Sequence, residues 1–439
     1  MPVVASSTSA VIGRRESNLK RVTIDLTPLM PDGENGGAGL VAVSLARELG
    51  ALAPSIEFTL LTNDRTHTDL AYLDAPNIRR ECVVVPTDRG HANAAARAHL
   101  WRLGKAVVDR ALPTRARARC KDAIWAIVKH RQRARVARSV PADLTFCPFT
   151  APYFFNAGTP LVSIVYDLQH QAYPEFFQSD QRRYRDQHVA DACHRAARVV
   201  CISDHVRETL LASFAIPPER VVTIHLGLMQ TTHGLAQQEA AALLARLRVR
   251  DRRFLIYPAN FWPHKNHRAL IEAHRQFRQA HLDSDLKVVC TGAPTDAMRE
   301  LAAHAETNSP GGFVFAGYVT DVELASLVGA SAALIYPSLY EGFGMPVLEA
   351  MAAGKPVLCS NATSLPEVAG DAAVLFDPNS IEEIAAAISA VEDRQDFLAT
   401  VSLRGPARAR TFGSAADMAR RYLALFERLV PSGFSDLLV

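Results

Sequence analysis

The sequence has few features that would tie the chain to a metal, to disulfides or to a membrane. Its seven cysteines are scattered over 439 residues and form no C-x-x-C pair. That pattern argues against a zinc site or a disulfide framework and for a reducing compartment. No apolar run approaches the ~18 residues of a membrane-spanning helix, and residues 1–20 lack the apolar core of a signal peptide. We therefore expect a cytoplasmic protein.

An excess of charge is also absent. The chain has 21% charged and 49% hydrophobic residues with a net charge of only +3, as in ordinary globular proteins. A basic partner site would therefore have to be local. No nucleic-acid-binding module is recognisable, so we expect no nucleic-acid partner. A chain of 439 residues is too long for one hydrophobic core, which predicts two domains.

What the sequence does contain is an alternation of short apolar runs with amphipathic helical stretches. This alternation is typical of α/β domains with parallel sheets. The predicted helices include 237–247, 381–391 and 415–429. The predicted strands are 22–26, 56–62, 80–85, 161–165, 199–202, 221–225, 254–258, 286–292, 313–319, 332–336, 356–359 and 373–376.

The stretch 338–354, SLYEGFGMPVLEAMAAG, organises this pattern. It follows a predicted strand, carries two glycines on a loop, and continues into a helix for which Pro346 suits the first position and Gly354 the end. The free N–H groups at such a helix start form a site for a diphosphate that needs no metal. Glu341 and Glu349 beside it cannot be phosphate ligands. We expect them to accept hydrogen bonds from hydroxyls, and a sugar and a ribose fit.

A second strand–glycine–helix pattern lies near the start of the chain. Turn formers follow the predicted strand 22–26, and Gly36-Gly37-Ala38-Gly39 then precede helical spacing that begins at Leu40. Glycines here suit either a plain turn or a phosphate-binding loop. The segment lacks G-x-G-x-x-G, so we do not expect a dinucleotide cofactor.

The spacing Glu341-x7-Glu349 inside EGFGMPVLEAMAAGKPV resembles the donor motif of the retaining nucleotide-sugar glycosyltransferases of family 4. The resemblance implies the GT-B fold, in which two doubly wound, Rossmann-like α/β domains with parallel sheets face each other across a cleft. It implies an acceptor-binding domain at 21–232, a nucleotide-sugar-binding domain at 233–412 and a terminal segment at 413–439 whose helix returns to the first domain.

The resemblance also implies roles for individual residues. Glu341 would hold the donor sugar, Glu349 the ribose and Lys265 the phosphates. Asn260 stands where the family usually has an arginine, so either Arg268 or His264 compensates or the phosphates are bound more weakly. The backbone at Tyr318 and Val319 would contact the base. The implied donor site is Gly36, Gly37, Asn260, Lys265, Tyr318, Val319, Glu341, Gly342, Phe343, Gly344, Met345 and Glu349.

One departure concerns the sugar-transfer centre. Family members commonly have His-Asp where this chain has Tyr166-Asp167, so either His170 replaces that histidine or Asp167 orients the acceptor. The predicted catalytic residues are therefore Glu341, Lys265, Asp167 and His170. No residue is a convincing covalent nucleophile, and the family expectation is a same-face reaction in which the leaving phosphate helps to deprotonate the acceptor. No D-x-D stands at a plausible place, so we expect neither a metal nor a cofactor.

These features predict a transferase that moves a sugar with retention from a nucleotide sugar to a saccharide or lipid-linked saccharide in surface-polysaccharide synthesis. GDP-mannose is the expected donor, while UDP-glucose, UDP-N-acetylglucosamine and dTDP-rhamnose stay open. Two other classes of function also stay open. One is a GT-B sugar-nucleotide epimerase or phosphorylase, and the other is a non-catalytic basic membrane adaptor.

The segment 97–138, bounded by Arg97 and Arg138, is rich in basic residues that alternate with apolar ones, and Asp109 and Asp122 are its only acids. Basic helical stretches that contain tryptophan suit an anionic membrane surface, where each basic residue contributes about 1 kcal/mol. In that case the protein would be peripheral at the inner face of the cytoplasmic membrane. The alternative is a solvated insertion with an apolar stripe that faces the core.

Overall fold

The computed structural model describes residues 18–31, 35–83, 140–151, 153–155, 158–229 and 234–430. The basic segment 97–138 lies outside the described residues, so its predicted membrane contact stays a prediction.

The first half of the described chain forms a parallel sheet of seven strands. Their order across the sheet is β3-β2-β1-β4-β5-β6-β7, so β1 lies between β2 and β4. The strands are β1 (Arg21–Asp25), β2 (Glu57–Thr62), β3 (Ile78–Cys82), β4 (Leu144–Cys147), β5 (Leu161–Val165), β6 (Arg198–Cys201) and β7 (Val221–Thr223).

The second half forms a parallel sheet of six strands in the order β10-β9-β8-β11-β12-β13. Here β8 lies between β9 and β11, as β1 does in the first sheet. The strands are β8 (Phe254–Pro258), β9 (Lys287–Thr291), β10 (Phe313–Gly317), β11 (Ala333–Tyr336), β12 (Val357–Ser360) and β13 (Val374–Phe376).

Helices connect most of these strands, as parallel pairing requires. Within the described residues the α-helices are α1 (Gly36–Leu52), α2 (Gln169–Ala172), α3 (Ser179–Arg195), α4 (Asp204–Ser213), α5 (Gln237–Leu247), α6 (His267–Ala280), α7 (Asp296–Asn308), α8 (Asp321–Ala330), α9 (Met345–Ala352), α10 (Leu365–Ala369), α11 (Ile381–Asp393), α12 (Gln395–Arg410) and α13 (Ala415–Leu429). Short 3₁₀ turns are Asp69–Leu73, Pro174–Phe176, Pro218–Arg220 and Pro263–Lys265.

The two sheets confirm the predicted fold class of two doubly wound α/β domains. In each sheet the strand order reverses beside the first strand, next to β1 and next to β8. Ligands of such sheets bind outside the carboxyl ends of the strands at that reversal. A ligand is therefore expected beside the segments that follow β1 and β4 in one sheet and β8 and β11 in the other.

The last helix packs on the first domain. Helix α13 lies against α1, and its Tyr422 and Phe426 rings pack on Phe146 of β4 with centroids 5.3 and 5.2 Å away. Backbone bonds between Leu228 and the residues around Ser414 join the chain at the same place. The family resemblance implied a contact of this kind, in which the terminal helix returns to the first domain. The predicted domain boundaries stay predictions.

Several local expectations were wrong. The predicted strand–loop–helix around 338–354 is present, but the glycines near the start differ: α1 begins at Gly36, so they form its first turn rather than a preceding loop. Strand β4 and helix α12 were not predicted. None of the helices in the described part of the chain is long and apolar enough to cross a membrane.

Candidate functional site

The loop between β11 and α9 has a fixed backbone. The Ser364 hydroxyl donates to the carbonyl oxygens of Glu341 at 2.9 Å and Phe343 at 3.0 Å. The Glu341 N–H donates to the Thr363 hydroxyl at 3.0 Å. Gly344 ends the loop with a φ of 108°, which favours glycine because it has no Cβ. The two acids of the motif are therefore presented on a rigid support.

The same loop touches the first domain. A Cβ added to Gly342 would overlap the carbonyl oxygen of Tyr166, the first residue after β5. The Ser203 hydroxyl, at the start of α4, donates to the Gly342 carbonyl at 2.7 Å. The Tyr340 hydroxyl accepts the Leu168 N–H at 3.2 Å. Gly342 is thus needed for a close backbone contact between the domains.

Lys265 and Glu341 form an ion pair at the centre of this region. Their Nζ and Oε1 atoms are 2.6 Å apart, and the side chains are only 11% and 13% exposed. Lys265 Nζ also donates to the Tyr336 hydroxyl at 3.2 Å and lies 5.3 Å from the centre of that ring. The Lys265 carbonyl accepts a hydrogen bond from Tyr257. The structure therefore brings together two residues that lie 76 positions apart in the sequence.

Glu349 belongs to the same cluster of charges. Its side chain reaches solvent, yet the protein that surrounds it and the charge of Asp321 raise its pKa to about 7. Burial, and then the charges of Glu341 and Glu349, raise the pKa of the Tyr336 phenol. The three predicted donor residues Lys265, Glu341 and Glu349 are thus grouped around Tyr336.

His264 does not supply the cation that Asn260 lacks. Burial, and then the neighbouring Lys265 charge, lower the pKa of His264 to about 4, so its ring is neutral at pH 7. The charge of Arg185, on α3 of the first domain, also lowers the pKa of His264. Arg185 therefore brings a positive charge close to this site from across the domain boundary.

The other donor candidates of the second domain follow neighbouring strands. Asn260 lies after β8 and is exposed, and its Oδ1 accepts the Ala293 N–H at 3.1 Å. Tyr318 and Val319 follow β10, with Tyr318 75% exposed. They lead into α8, whose first residue, Asp321, is close enough to raise the pKa of Glu349. All these groups lie at the carboxyl edge of one sheet.

Gly36 and Gly37 are exposed in the first turn of α1. A Cβ on either would meet no atom within 4 Å, and Gly36 has a φ of +54°. The Tyr166 hydroxyl donates to the Ala38 carbonyl at 3.5 Å, while the Tyr166 carbonyl abuts Gly342. Tyr166 therefore joins the first turn of α1 to residues 340–344 of the loop between β11 and α9, which are called the donor loop below because they belong to the predicted donor motif.

The two acceptor candidates have different surroundings. Asp167 Oδ1 accepts the Gln169 N–H at 3.0 Å and lies 3.7 Å from Arg185 Nη1. His170 is 2% exposed, and its Nε2 is 3.0 Å from Asp186 Oδ1. Among the described residues His170 has no hydrogen bond to Lys265 or Glu341. The predicted roles of Asp167 and His170 stay predictions.

Sequence reasoning missed a polar junction between the domains. Glu367, on α10, accepts the Asp204 and His205 N–H groups at the start of α4, at 2.8 and 3.1 Å, and its Oε1 is 2.6 Å from His225 Nε2. Burial raises the pKa of Glu367, but these hydrogen bonds outweigh it and leave the pKa lowered. Asp204, His225 and Glu367 have ligand atoms within 4.8 Å of one another. The hydrogen bonds already engage Glu367, so we interpret the group as a helix cap across the boundary.

Comparison with known families shows which family the chain belongs to. A family model described as "Glycosyltransferase Family 4" matches residues 35–228, and one described as "Glycosyl transferases group 1" matches residues 245–406. The first covers most of one sheet with α1, and the second covers the other sheet with the donor loop. The chain belongs to the family 4 glycosyltransferases, which have the GT-B fold.

Named relatives share part of their length with this chain. It is 31% identical over 255 residues to "O-antigen chain mannosyltransferase B" of Escherichia coli, which is 57% of this chain and 66% of that protein. It is 29% identical over 245 residues to "MMP alpha-(1->4)-mannosyltransferase" of Mycolicibacterium hassiacum, which is 53% of this chain and 54% of that protein. The match to "Serotype-specific mannosyltransferase WbdA" of Escherichia coli spans 24% of that protein.

Solved structures agree on the fold. Anabaena HepE, crystallised in complex with UDP and glucose, superposes with a TM-score of 0.66 at 18% identity and covers 93% of this chain and 100% of its own. WaaG, a glycosyltransferase involved in lipopolysaccharide biosynthesis, superposes with a TM-score of 0.63 at 15% identity and covers 94% of this chain and 100% of its own.

Proposed function

We propose that this protein transfers mannose from GDP-mannose to a hydroxyl of a saccharide or lipid-linked saccharide in the synthesis of a cell-surface polysaccharide. The observation that carries the proposal is the Lys265–Glu341 pair, 2.6 Å apart in the donor motif of a family 4 chain. The names of the relatives support mannose, since all three relatives named above are mannosyltransferases. The UDP and glucose in the HepE complex support a nucleotide-sugar donor in general.

The diphosphate would lie between Lys265 and two helix starts. Helix α9 begins at Met345, directly after Phe343 and Gly344. Pro346 has no N–H and the Val347 N–H donates to the Gly344 carbonyl at 3.0 Å, so this helix start offers the N–H groups of Gly344 and Met345. The first turn of α1 offers the exposed Gly36 and Gly37 from the other domain. Backbone N–H groups and an ammonium stabilise negative charge as it grows on the leaving diphosphate.

Donor binding would rearrange the ion pair. Glu341 Oε1 accepts a hydrogen bond from the Lys265 ammonium at 2.6 Å. A phosphate oxygen that binds Lys265 would free Glu341 to accept hydrogen bonds from the sugar hydroxyls, while Glu349 accepts those of the ribose. The pair therefore keeps both charges neutralised until the donor arrives, which avoids an unpaired charge in a mostly buried place.

The acceptor would approach from the first domain. Asp167 and His170 are the candidates to orient its hydroxyl, and Arg185 is held beside Asp167. We propose that the leaving phosphate removes the acceptor proton on the same face of the sugar, so the anomeric configuration is retained. We propose that no metal takes part, because Lys265 and the helix N–H groups neutralise the phosphates.

Turnover with GDP-mannose tests the assignment. Lys265→Ala and Glu341→Ala should each lower it about 10²–10³-fold, as expected for a lost transition-state contact. Each single variant leaves an unpaired charge, which could also destabilise the fold. The double variant Lys265→Met/Glu341→Gln replaces both charges by neutral side chains, so it should fold and should be equally inactive. Lys287→Ala is the matched control, since among the described residues the Lys287 ammonium donates only to the Arg248 carbonyl, at 3.1 Å.

Two outcomes would contradict the proposal. Near wild-type turnover in the single variants would remove Lys265 and Glu341 from the site. Nucleotide-sugar hydrolysis without any acceptor would favour a sugar-nucleotide epimerase instead. The membrane contact of segment 97–138 is a separate proposal, and flotation with anionic and with neutral liposomes tests it.

A further inference from the structure

A buried phenol lies directly beside the Lys265–Glu341 pair. Tyr336 is the last residue of β11 and is only 2% exposed. Its hydroxyl accepts a hydrogen bond from Lys265 Nζ at 3.2 Å. The same Nζ atom is 5.3 Å from the centre of the Tyr336 ring, so the ammonium lies nearer to the hydroxyl than to the centre of the ring. The hydroxyl is therefore the part of Tyr336 that holds the ammonium.

The surroundings of Tyr336 hold its ring in place. Its backbone pairs with Cys359 of β12 inside the sheet. The Tyr257 ring meets it edge-on, with centroids 5.6 Å apart and an angle of 88° between the planes. The Tyr257 hydroxyl donates to the Lys265 carbonyl oxygen. Lysine has a flexible four-carbon stem, so these two phenols fix it at both ends, one at the backbone and one at the ammonium.

The Tyr336 hydroxyl keeps its proton at pH 7. Burial, and then the charge of Glu341, raise the pKa of this phenol well above its ordinary value. A protonated phenol can donate one hydrogen bond while it accepts another. Its oxygen already accepts from Lys265, so its proton is available to the neighbouring Glu341 carboxylate, which only accepts. Tyr336 can therefore serve both members of the ion pair at once.

Donor binding gives this arrangement its importance. A phosphate oxygen on Lys265 and sugar hydroxyls on Glu341 would weaken the direct bond between the ammonium and the carboxylate. An ammonium has three donors, so Lys265 can bind phosphate and still donate to Tyr336. We propose that Tyr336 is a positioning residue, which keeps the Lys265 ammonium and the Glu341 carboxylate aligned on the donor once the donor has separated them. This role rests on the function proposed above.

The consequence of losing the hydroxyl follows from the other contacts of Lys265. Among the described residues its Nζ donates hydrogen bonds only to Glu341 and Tyr336. Without the phenol oxygen, the flexible stem would follow the Glu341 carboxylate alone. The donor would then have to break that pair and would meet a poorly oriented ammonium. A small misplacement of a charged group at the reacting centre costs both binding and rate.

Tyr336→Phe tests the proposal by removing the hydroxyl while keeping the ring. With GDP-mannose, the KM for the donor should rise and kcat should fall, so that kcat/KM drops about ten- to hundredfold, as expected for one hydrogen bond to a charged group. The KM for the acceptor should not change. A folding defect would instead lower kcat alone, in proportion to the inactive fraction.

Tyr422→Phe is the matched control. That phenol is also fully buried, on α13 against Phe146, and its hydroxyl has no hydrogen-bond partner among the described residues. Loss of this hydroxyl should leave kcat and both KM values as in wild type.

A double-mutant cycle separates positioning from a purely structural role. Lys265→Met/Glu341→Gln removes the two groups through which Tyr336 would act. Adding Tyr336→Phe to that variant should therefore change its residual transfer rate by less than about twofold. An equal loss in both backgrounds would show that the hydroxyl serves the fold alone, and would overturn the proposal.

Two further outcomes separate this proposal from the proposed function. Unchanged kcat and KM in Tyr336→Phe of an active enzyme would overturn the positioning role and leave the transferase standing. If wild type transfers from UDP-glucose and not from GDP-mannose, the GDP-mannose assignment is wrong. The same loss in Tyr336→Phe with UDP-glucose would then still support the positioning role.

Discussion

Two pairs of glycines lie at the two strand-to-helix junctions of this protein, and their surroundings differ. A Cβ on Gly36 or Gly37, in the first domain, would project into open space. A Cβ on Gly342 would overlap the Tyr166 carbonyl, and one on Gly344 would lie 2.5 Å from Leu365 Cδ2. The glycines of the second domain allow the protein to pack against itself. Those of the first domain leave space that nothing in the described chain fills.

This difference indicates where a ligand can approach. Open space beside a helix start is what a diphosphate needs in order to reach the backbone N–H groups. Gly37 is the more informative of the exposed pair, because Gly36 has a φ of +54° and would be strained by any side chain. A substitution at Gly342 should therefore lower stability, whereas one at Gly37 should spare stability and weaken donor binding.

Of the glycine substitutions, Gly342→Ala should have the larger effect. The new methyl group must displace either the donor loop or the Tyr166 backbone, and overpacking of this kind costs about 1–3 kcal/mol. We expect a lower free energy of unfolding in urea and at least tenfold slower transfer, since Glu341 is the preceding residue. An unchanged unfolding midpoint with full activity would show that the domains do not hold this contact in solution.

Gly37→Ala should leave the fold intact and weaken donor binding. Alanine is the better helix former, so the unfolding midpoint should stay or rise. If the Gly37 amide contacts the diphosphate, the methyl group should lower the affinity for GDP-mannose about tenfold. Gly329→Ala is the matched control, because its Cβ also meets nothing within 4 Å but it lies near the end of α8. Equal affinities in the two variants would place the donor elsewhere.

The sequence predicted the features that local patterns specify. Buried parallel strands are continuous apolar runs, so most strands of both sheets could be located within two residues. The donor loop was found because its glycines, a proline and two acids occur in the order that resembles the donor motif of the family. The chain length predicted two domains, and the alternation of strands and helices predicted their α/β class.

Features that depend on tertiary contacts were not predicted. Strand β4 has only the four residues LTFC, and its place between β1 and β5 is set by pairing with strands distant in sequence. Helix α12 contains Gly405 and Pro406, which normally end a helix. Gly405 is required there because a Cβ would crowd the Met351 backbone of α9 at 2.9 Å. The contacts of Glu367 and Lys265 likewise join segments that no local pattern connects.

The smallest predicted effect is a pH dependence of stability and donor affinity. It comes from Glu349, the exposed acid at the strand-to-helix junction of the second domain. Its pKa of about 7 lies above its ordinary 4.5, so stability from this group is fully present below about pH 4.5 and is lost as the pH rises through about 7. Solvent at this exposed side chain reduces the size of that loss. Donor affinity should change in the opposite direction, because an ionised carboxylate accepts ribose hydrogen bonds more strongly than a neutral acid.

We therefore expect the affinity for GDP-mannose to rise a few-fold as the pH increases through about 7. The intact nucleotide sugar is the right probe, because both of its phosphates are esterified and do not titrate near pH 7. The terminal phosphate of GDP does titrate in this range and would add its own pH dependence. Glu349→Gln should bind more weakly than wild type at high pH and should show a flat profile. A profile that stays unchanged in Glu349→Gln would assign the pH dependence to another group and would remove the ribose contact from Glu349.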